Sequence, residues 1–282
     1  MSFTDPDFGK TPRELRGQTQ NRVTLVATVH QPNDALSELT RATLPQLQAL
    51  YGALVFLCSQ TTSAEMLALL RASGATVHHE RQQPTSLSGI GRVRRRALRL
   101  GITTGCDHLH LCDFDRLLHW AAHYLDELQQ VVGEIANYDL LILGRTERAF
   151  ATHPPYQAET ERLANLVFSK VYGPERDITS GSRGLSRQAA ERLLTHSREE
   201  GPGVDAEWPL IVSRFPELRS GYILCEGLEF ETADRYQAEI AQAGGLERWL
   251  EAQSARPELW VQRLRVAYEI AEAALRAAEC CQ

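Results

Sequence analysis

The residues best placed by type and spacing to do chemistry are two aspartates, Asp113 and Asp115, parted by Phe114. They directly follow His108-Leu109-His110-Leu111-Cys112, a run that reads as a buried strand. In extended geometry residues i and i+2 project to the same side, so both carboxylates would face one site at the strand's exit. Hard divalent cations such as Mg2+ or Mn2+ take oxygen ligands of this kind and bridge them to phosphate oxygens. The pair therefore suits a metal–diphosphate centre. Just upstream, Arg92, Arg94, Arg95, Arg96 and Arg99 place five arginines within eight residues. On a helix Arg92, Arg95, Arg96 and Arg99 share a face, and one or two of the five are expected to reach an anion. The chain has 30 basic and 36 acidic residues, a formal charge of −6. An acidic protein must hold a diphosphate with local cations, and this one lacks the basic footprint of a nucleic-acid binder.

Those residues need a scaffold, and 282 residues allow one large domain or two small ones. An apolar content of 43% supports an ordinary core and excludes a disordered, collagen-like or disulfide-scaffold chain. Short apolar runs predict strands at 22–29, 53–58, 75–79, 108–112, 140–144 and 220–225, with a turn-rich strand region at 177–186. Helical spacing predicts helices over 36–50, from Met66 to Gly74, and over 92–100, 119–135, 159–172 and 187–198. Residues 81–91, 151–158 and the stretch from Gly201 into 204–210 read as loops. Strands alternating with helices of this length imply βαβ units around a mostly parallel sheet. From 237 onward the chain reads as helical, with Val261, Leu264, Ala267, Tyr268, Ala271 and Leu275 on one apolar face that covers the sheet or closes a homodimer. His108 and His110 share a strand face and are expected to pack or hydrogen-bond, and Trp120 and Trp208 to lie in the core.

Residues 1–21 read as a polar tail without the apolar stretch of a secretory signal. No run approaches the roughly 18 to 20 apolar residues of a membrane span, and a cytoplasmic location is expected. The six cysteines show no paired zinc spacing and read as free thiols.

Taken in order, VTLVATVHQPND, LVFLCSQ, GRVRRRALRLG, HLHLCDFDRLLHW, SGSRGLSRQAAERLL and VDAEWPLIV resemble the GT-A type of nucleotide-sugar glycosyltransferase, in particular its broad family-2-like group. The resemblance covers residues 22–235. It implies an α/β fold: a tail over 1–21, one GT-A-like nucleotide-sugar-binding and catalytic domain over 22–236, and a helical C-terminal extension over 237–282. It implies transfer of a sugar from a nucleoside-diphosphate sugar to a small-molecule or glycan acceptor, with Mg2+ or Mn2+.

By position, the resemblance assigns Thr28, His30 and Gln31 to the nucleotide and Asp113 to the ribose or sugar. Asp115 would bind the metal, and Arg95 would face the nucleotide or diphosphate. The stretch holding Gly181 and Ser182 would border the acceptor side. Asp205 and Glu207 occupy the place of a catalytic base. Some relatives add a late histidine as metal ligand. No histidine follows His196 here, and Asp234 is the best late oxygen ligand. Two other functions fit a similar sheet: a sugar-phosphate nucleotidyltransferase, and a non-catalytic nucleotide or carbohydrate binder. The loop His30 to Asp34 has no glycine, which counts against the nucleotidyltransferase.

Overall fold

A computed structural model describes residues 22–80 and 89–279. The tail over 1–21, most of the expected 81–91 loop, and Cys280 and Cys281 lie outside the described residues. Strands β1 (Val23–Val29), β2 (Ala53–Cys58), β3 (Thr76–His79), β4 (His108–Asp113), β5 (Leu140–Arg145), β6 (Ser182–Ser186) and β7 (Ser220–Cys225) form one sheet in the order β3-β2-β1-β4-β6-β5-β7. Every pairing is parallel except those of β6, which runs antiparallel to β4 and β5. The mixed α/β sheet flanked by helices is the architecture expected from the strand–helix alternation.

The sheet's inner strands, β2 included, are buried on both faces, which explains why they read as largely apolar runs, whereas the edge strands β3 and β7 are partly exposed. In β1, Leu25, Ala27 and Val29 enter one core and Val26 the other; in β2, Phe56 and Cys58 oppose Val55 and Leu57. Helices α1 (Ser37–Leu50) and α2 (Ala64–Ala72) carry the chain across the first face. On the other side α3 (Ile90–Gly101) packs against β1 and β2. Trp120 and Trp208 are fully buried, as expected.

Three local expectations are corrected. The segment 119–135 is two helices, α4 (Phe114–His123) and α5 (Leu125–Ile135), because the chain leaves helical geometry at Tyr124. The short α6 (Glu147–Ala151) follows β5, and α7 (Pro155–Tyr172) begins inside the expected loop, with proline in its first turn where its missing N–H costs nothing. After α8 (Arg187–His196), the stretch read as a loop is α9 (Val204–Val212), buried along its whole length, with Pro209 inside it.

The C-terminal region is helical, as α10 (Gln237–Gln242), α11 (Leu246–Ser254) and α12 (Pro257–Glu279). Its buried face differs from the expected one. Val261, Leu264, Tyr268 and Leu275 are exposed, whereas Ala267, Ile270, Ala273, Ala274 and Ala277 are buried. Helix α12 packs against α7 and α9, and small side chains let those axes approach where larger ones would hold them apart. No helix among the described residues is long and apolar enough to cross a membrane.

Candidate functional site

The register that places Thr28 beside Asp113 brings the ends of β1 and β4 together. There the strands open into a cavity of about 620 Å3, reached also by β2, by the turn before β6, and by α3, α7, α9 and α12. Thr28, His30, Asp113, Asp115, Gly181 and Asp205 line it.

Asp113 ends β4, and Asp115 lies in the first turn of α4. The Thr28 hydroxyl donates to Asp113 Oδ1 at 2.9 Å. Gly181 faces the other oxygen at φ +72°, where a Cβ would stand 2.6 Å from Asp113 Oδ2. That left-handed backbone and that close approach both demand glycine. Gly181→Ala is therefore expected to cost about 1–3 kcal/mol of stability and to displace Asp113. Urea melts check it, and a variant as stable as the parent would contradict this packing.

Glu231 joins the two aspartates from the single-turn helix Glu231–Arg235, and it also lines the cavity. Burial, with the nearby charges of Asp115 and Asp113, pushes its carboxyl above the usual range, although Arg116 opposes this. Each of the three carboxylates faces an arginine. Arg94 lies 3.6 Å from Asp113, Arg235 2.7 Å from Asp115, and Arg116 3.0 Å from Glu231. Arg94 also donates to Asp205, as does Arg183. Burial works against the Arg94 cation, but Asp205 and Asp113 more than offset it and hold its pKa up. Three polar atoms at this cluster are buried without a partner: the donors Arg116 Nε and Arg235 Nε and the acceptor Glu231 Oε2.

The cavity continues between α7 and α12, past Gln157, Thr160, Glu161 and Arg263. Arg145, at the end of β5, anchors this half by pairing with Asp177 and Glu161, both at 2.8 Å. Burial works against the Asp177 carboxylate, but Arg145 prevails and holds it well below the usual range.

Several residues expected at the site lie elsewhere. Arg95 donates to the Ser197 hydroxyl at 3.2 Å and to the Glu199 carbonyl, away from the cavity. Glu207 accepts from the Ser197 hydroxyl at 2.5 Å and from the Arg198 amide at 2.7 Å. Both thus fasten the 197–200 segment, against which the N-terminus of α3 docks through a Gly91 amide bond to the Glu200 carbonyl. Gln31 is buried, and its carbonyl accepts from the Ser63 amide. Asp234 faces His119 at 2.8 Å and does not line the cavity. Arg94, which the arginine run did not single out, reaches both Asp113 and Asp205. Its signal is in the helix: Arg94 shares a face with Ala97, Leu98 and Gly101, so it points inward with the apolar residues.

Ser182 also points away, into a buried chain in which Tyr51 Oη meets His110 Nδ1 at 2.6 Å and His110 Nε2 meets Ser182 Oγ at 2.9 Å. Burial pushes the His110 pKa down to about 3. The unfolded chain, titrating near pH 6.5, takes up a proton that the folded state refuses. The stability contributed by neutral His110 is thus complete above about pH 6.5. It falls by about 1.4 kcal/mol per unit as pH drops below that value. His110→Gln is expected to flatten the stability–pH curve by one proton between about pH 4 and 6. Denaturant titrations across that range check it, and an unchanged slope would contradict it.

No protein-family model and no curated protein matches the chain. Solved structures do. Glucosyl-3-phosphoglycerate synthase from Mycobacterium tuberculosis, in complex with Mn2+, uridine-diphosphate and phosphoglyceric acid, aligns with a TM-score of 0.53 at 19% identity, over 79% of this chain and 75% of that one. The same synthase in complex with uridine-diphosphate gives 0.52 at 19% identity, over 78% and 76%. A structure described as a mycobacterial protein gives 0.53 at 16% identity, over 78% and 71%. The GT-A-like fold expected from the ordered motifs is the fold the chain has.

Proposed function

We propose that the protein is a glycosyltransferase that moves a sugar from a nucleoside-diphosphate sugar to a small-molecule or glycan acceptor, with a divalent cation bound at Asp113 and Asp115. The observation that carries this reading is the cluster of Asp113, Asp115 and Glu231, interleaved with Arg94, Arg116 and Arg235 in one cavity at the strand ends. The synthase with the same fold was solved with Mn2+ and uridine-diphosphate, which is consistent with this assignment.

The residues fit such an ion. All three acids offer oxygen donors, as Mg2+ and Mn2+ prefer, and Glu231 Oε2 is a buried acceptor without a partner. Glu231, rather than Asp234, is then the late carboxylate of the site. When bound, the cation supplies positive charge to the departing diphosphate. The chain's own part is cationic as well. Arg116 Nε is a buried, unpaired donor in the same cluster, and Arg94 is held there by Asp205. These groups are fixed before the reaction, so they stabilise developing charge without reorganising. Thr28 and His30 would meet the nucleoside, with His30 Nδ1 held 3.0 Å from Ser59 Oγ.

In transfer, the acceptor hydroxyl oxygen would bond to the anomeric carbon, the bond from that carbon to the diphosphate oxygen would break, and the hydroxyl proton would pass to the departing diphosphate, directly or through water. The acceptor would enter between α7 and α12, where Arg263, 3.1 Å from Gln157 Oε1, offers donors to a polar group. We assign Asp205 to positioning Arg94 and Arg183, because its Oδ1 accepts from both, and Glu207 to holding the 197–200 segment. Incubation with a panel of nucleotide sugars and Mn2+ tests the function. Release of nucleoside diphosphate, with sugar gained by an acceptor or by water, supports it. Pyrophosphate release from a nucleoside triphosphate and a sugar phosphate would instead indicate a nucleotidyltransferase, and binding without turnover a non-catalytic binder.

A further inference from the structure

A second set of metal-ligating side chains lies beside the cavity and takes no part in the reading above. His119 and His123 are one helical turn apart on α4, so they share a face, with ring centroids 4.5 Å apart. Asp234 approaches them from the Glu231–Arg235 turn. One ligand atom from each of the three lies within 4.8 Å of the others. His119 and Asp234 are largely buried, whereas His123 is exposed.

The surroundings fix how His119 is presented. Its Nε2 lies 3.1 Å from Glu229 Oε1. Glu229 is itself held by the Tyr124 hydroxyl at 2.9 Å and by Arg148 at 2.6 Å. Glu229 Oε1 therefore accepts from both the Tyr124 hydroxyl and the His119 ring, and Nε2 carries a proton. Nδ1 is then left facing Asp234 Oδ2 at 2.8 Å. Asp234 is an acceptor, so at that distance Nδ1 either carries a second ring proton or gives that place to a metal ion. A carboxylate that orients the far nitrogen of a histidine while the near nitrogen binds metal is the usual outer-shell arrangement of zinc sites.

We propose that His119 Nδ1, His123 and Asp234 form a binding site for a transition-metal ion of the Zn2+ class, separate from the oxygen cluster of Asp113, Asp115 and Glu231. Imidazole nitrogens favour Zn2+ and its neighbours, whereas carboxylates alone favour Mg2+ and Mn2+, so the two sites select different ions. Bonds of about 2.0–2.2 Å place two ligands of tetrahedral zinc about 3.3 Å apart. Nδ1 and Oδ2 must therefore part slightly, and the exposed His123 must swing inward. The fourth position is left to water. The consequence is mechanical. The ion would tie α4, which carries Asp115, to the turn that carries Glu231 and Arg235, and so fix that wall of the cavity. The inference does not depend on the reaction proposed above.

The test uses the full chain, stripped of metal by chelation and titrated with Co2+ as a visible stand-in for Zn2+. One equivalent is expected to give the intense absorption of a tetrahedral site, and Zn2+ to displace it. His123→Ala, exposed and outside the cavity, is expected to lose that equivalent while keeping its melting temperature without metal. Glu229→Gln is expected to weaken Zn2+ binding about ten- to a hundredfold. Asp115→Asn is expected to keep it. Absence of a tetrahedral spectrum, or binding by His123→Ala as tight as by the parent, would overturn the site and show that a ring proton alone joins His119 to Asp234.

Discussion

Asp115→Asn is expected to abolish metal-dependent donor binding and to lower turnover by about a hundred- to a thousandfold, the usual loss when one group that stabilises transition-state charge is removed. The carboxylate is proposed to hold the cation, and an amide keeps its shape but loses the charge. Its present partner is Arg235 at 2.7 Å, and both side chains are partly open to water, at 19% and 23% exposure. Losing one side of such a pair is expected to cost between the roughly 1 kcal/mol of a surface bridge and the roughly 3 kcal/mol of a buried one, which leaves the fold intact. The variant should therefore fold normally, so its defect will be one of binding and chemistry. Titration of nucleotide with and without Mn2+ checks this, alongside a melt. Donor binding equal to that of the parent would remove Asp115 from the site.

Arg94→Met is expected to show the opposite balance, with a large loss of stability. Arg94 is nearly inaccessible and serves two carboxylates, donating to Asp205 and standing 3.6 Å from Asp113. Methionine fills most of its volume but leaves Asp205 to Arg183 alone. Breaking a buried ion pair from one side costs about 3–5 kcal/mol, because the remaining charge is stranded in a poor solvent for it. Burial disfavours the Arg183 cation, with Asp205 opposing and Arg94 repelling it, so Arg183 keeps its own bond to Asp205 but does not reach the Asp113 contact that Arg94 made. Arg95→Met is the contrast. It loosens the 197–200 segment and should leave the nucleotide half of the cavity unchanged. A melt of Arg94→Met within about 1 kcal/mol of the parent would contradict the network.

Much of the frame was legible because a sheet covered on both faces leaves a plain trace. The runs at 23–29, 53–58 and 140–143 are mostly or wholly apolar, and the acid pair follows directly on another buried strand. The missing pieces have physical causes. Gly201-Pro202-Gly203 and Pro209 look like breakers, but α9 is held by burial on all sides, which outweighs local preference. On α12 the large apolar residues suggested the buried face, whereas close packing selected the alanines. At the site, Arg94 was hidden among four arginines that spacing placed together, although its own apolar neighbours marked it. Glu231 carried no local signal. Its role depends on a turn that comes back to Arg116 across 115 residues, a contact that only the fold creates.

Isothermal titration of the chelator-treated protein with UDP- and GDP-sugars, in the presence and absence of Mn2+, tests the central claim most directly. Saturable binding of at least one nucleotide sugar that requires the metal and disappears in Asp115→Asn is the predicted result. Failure of every nucleotide sugar to bind with Mn2+ present would contradict the account.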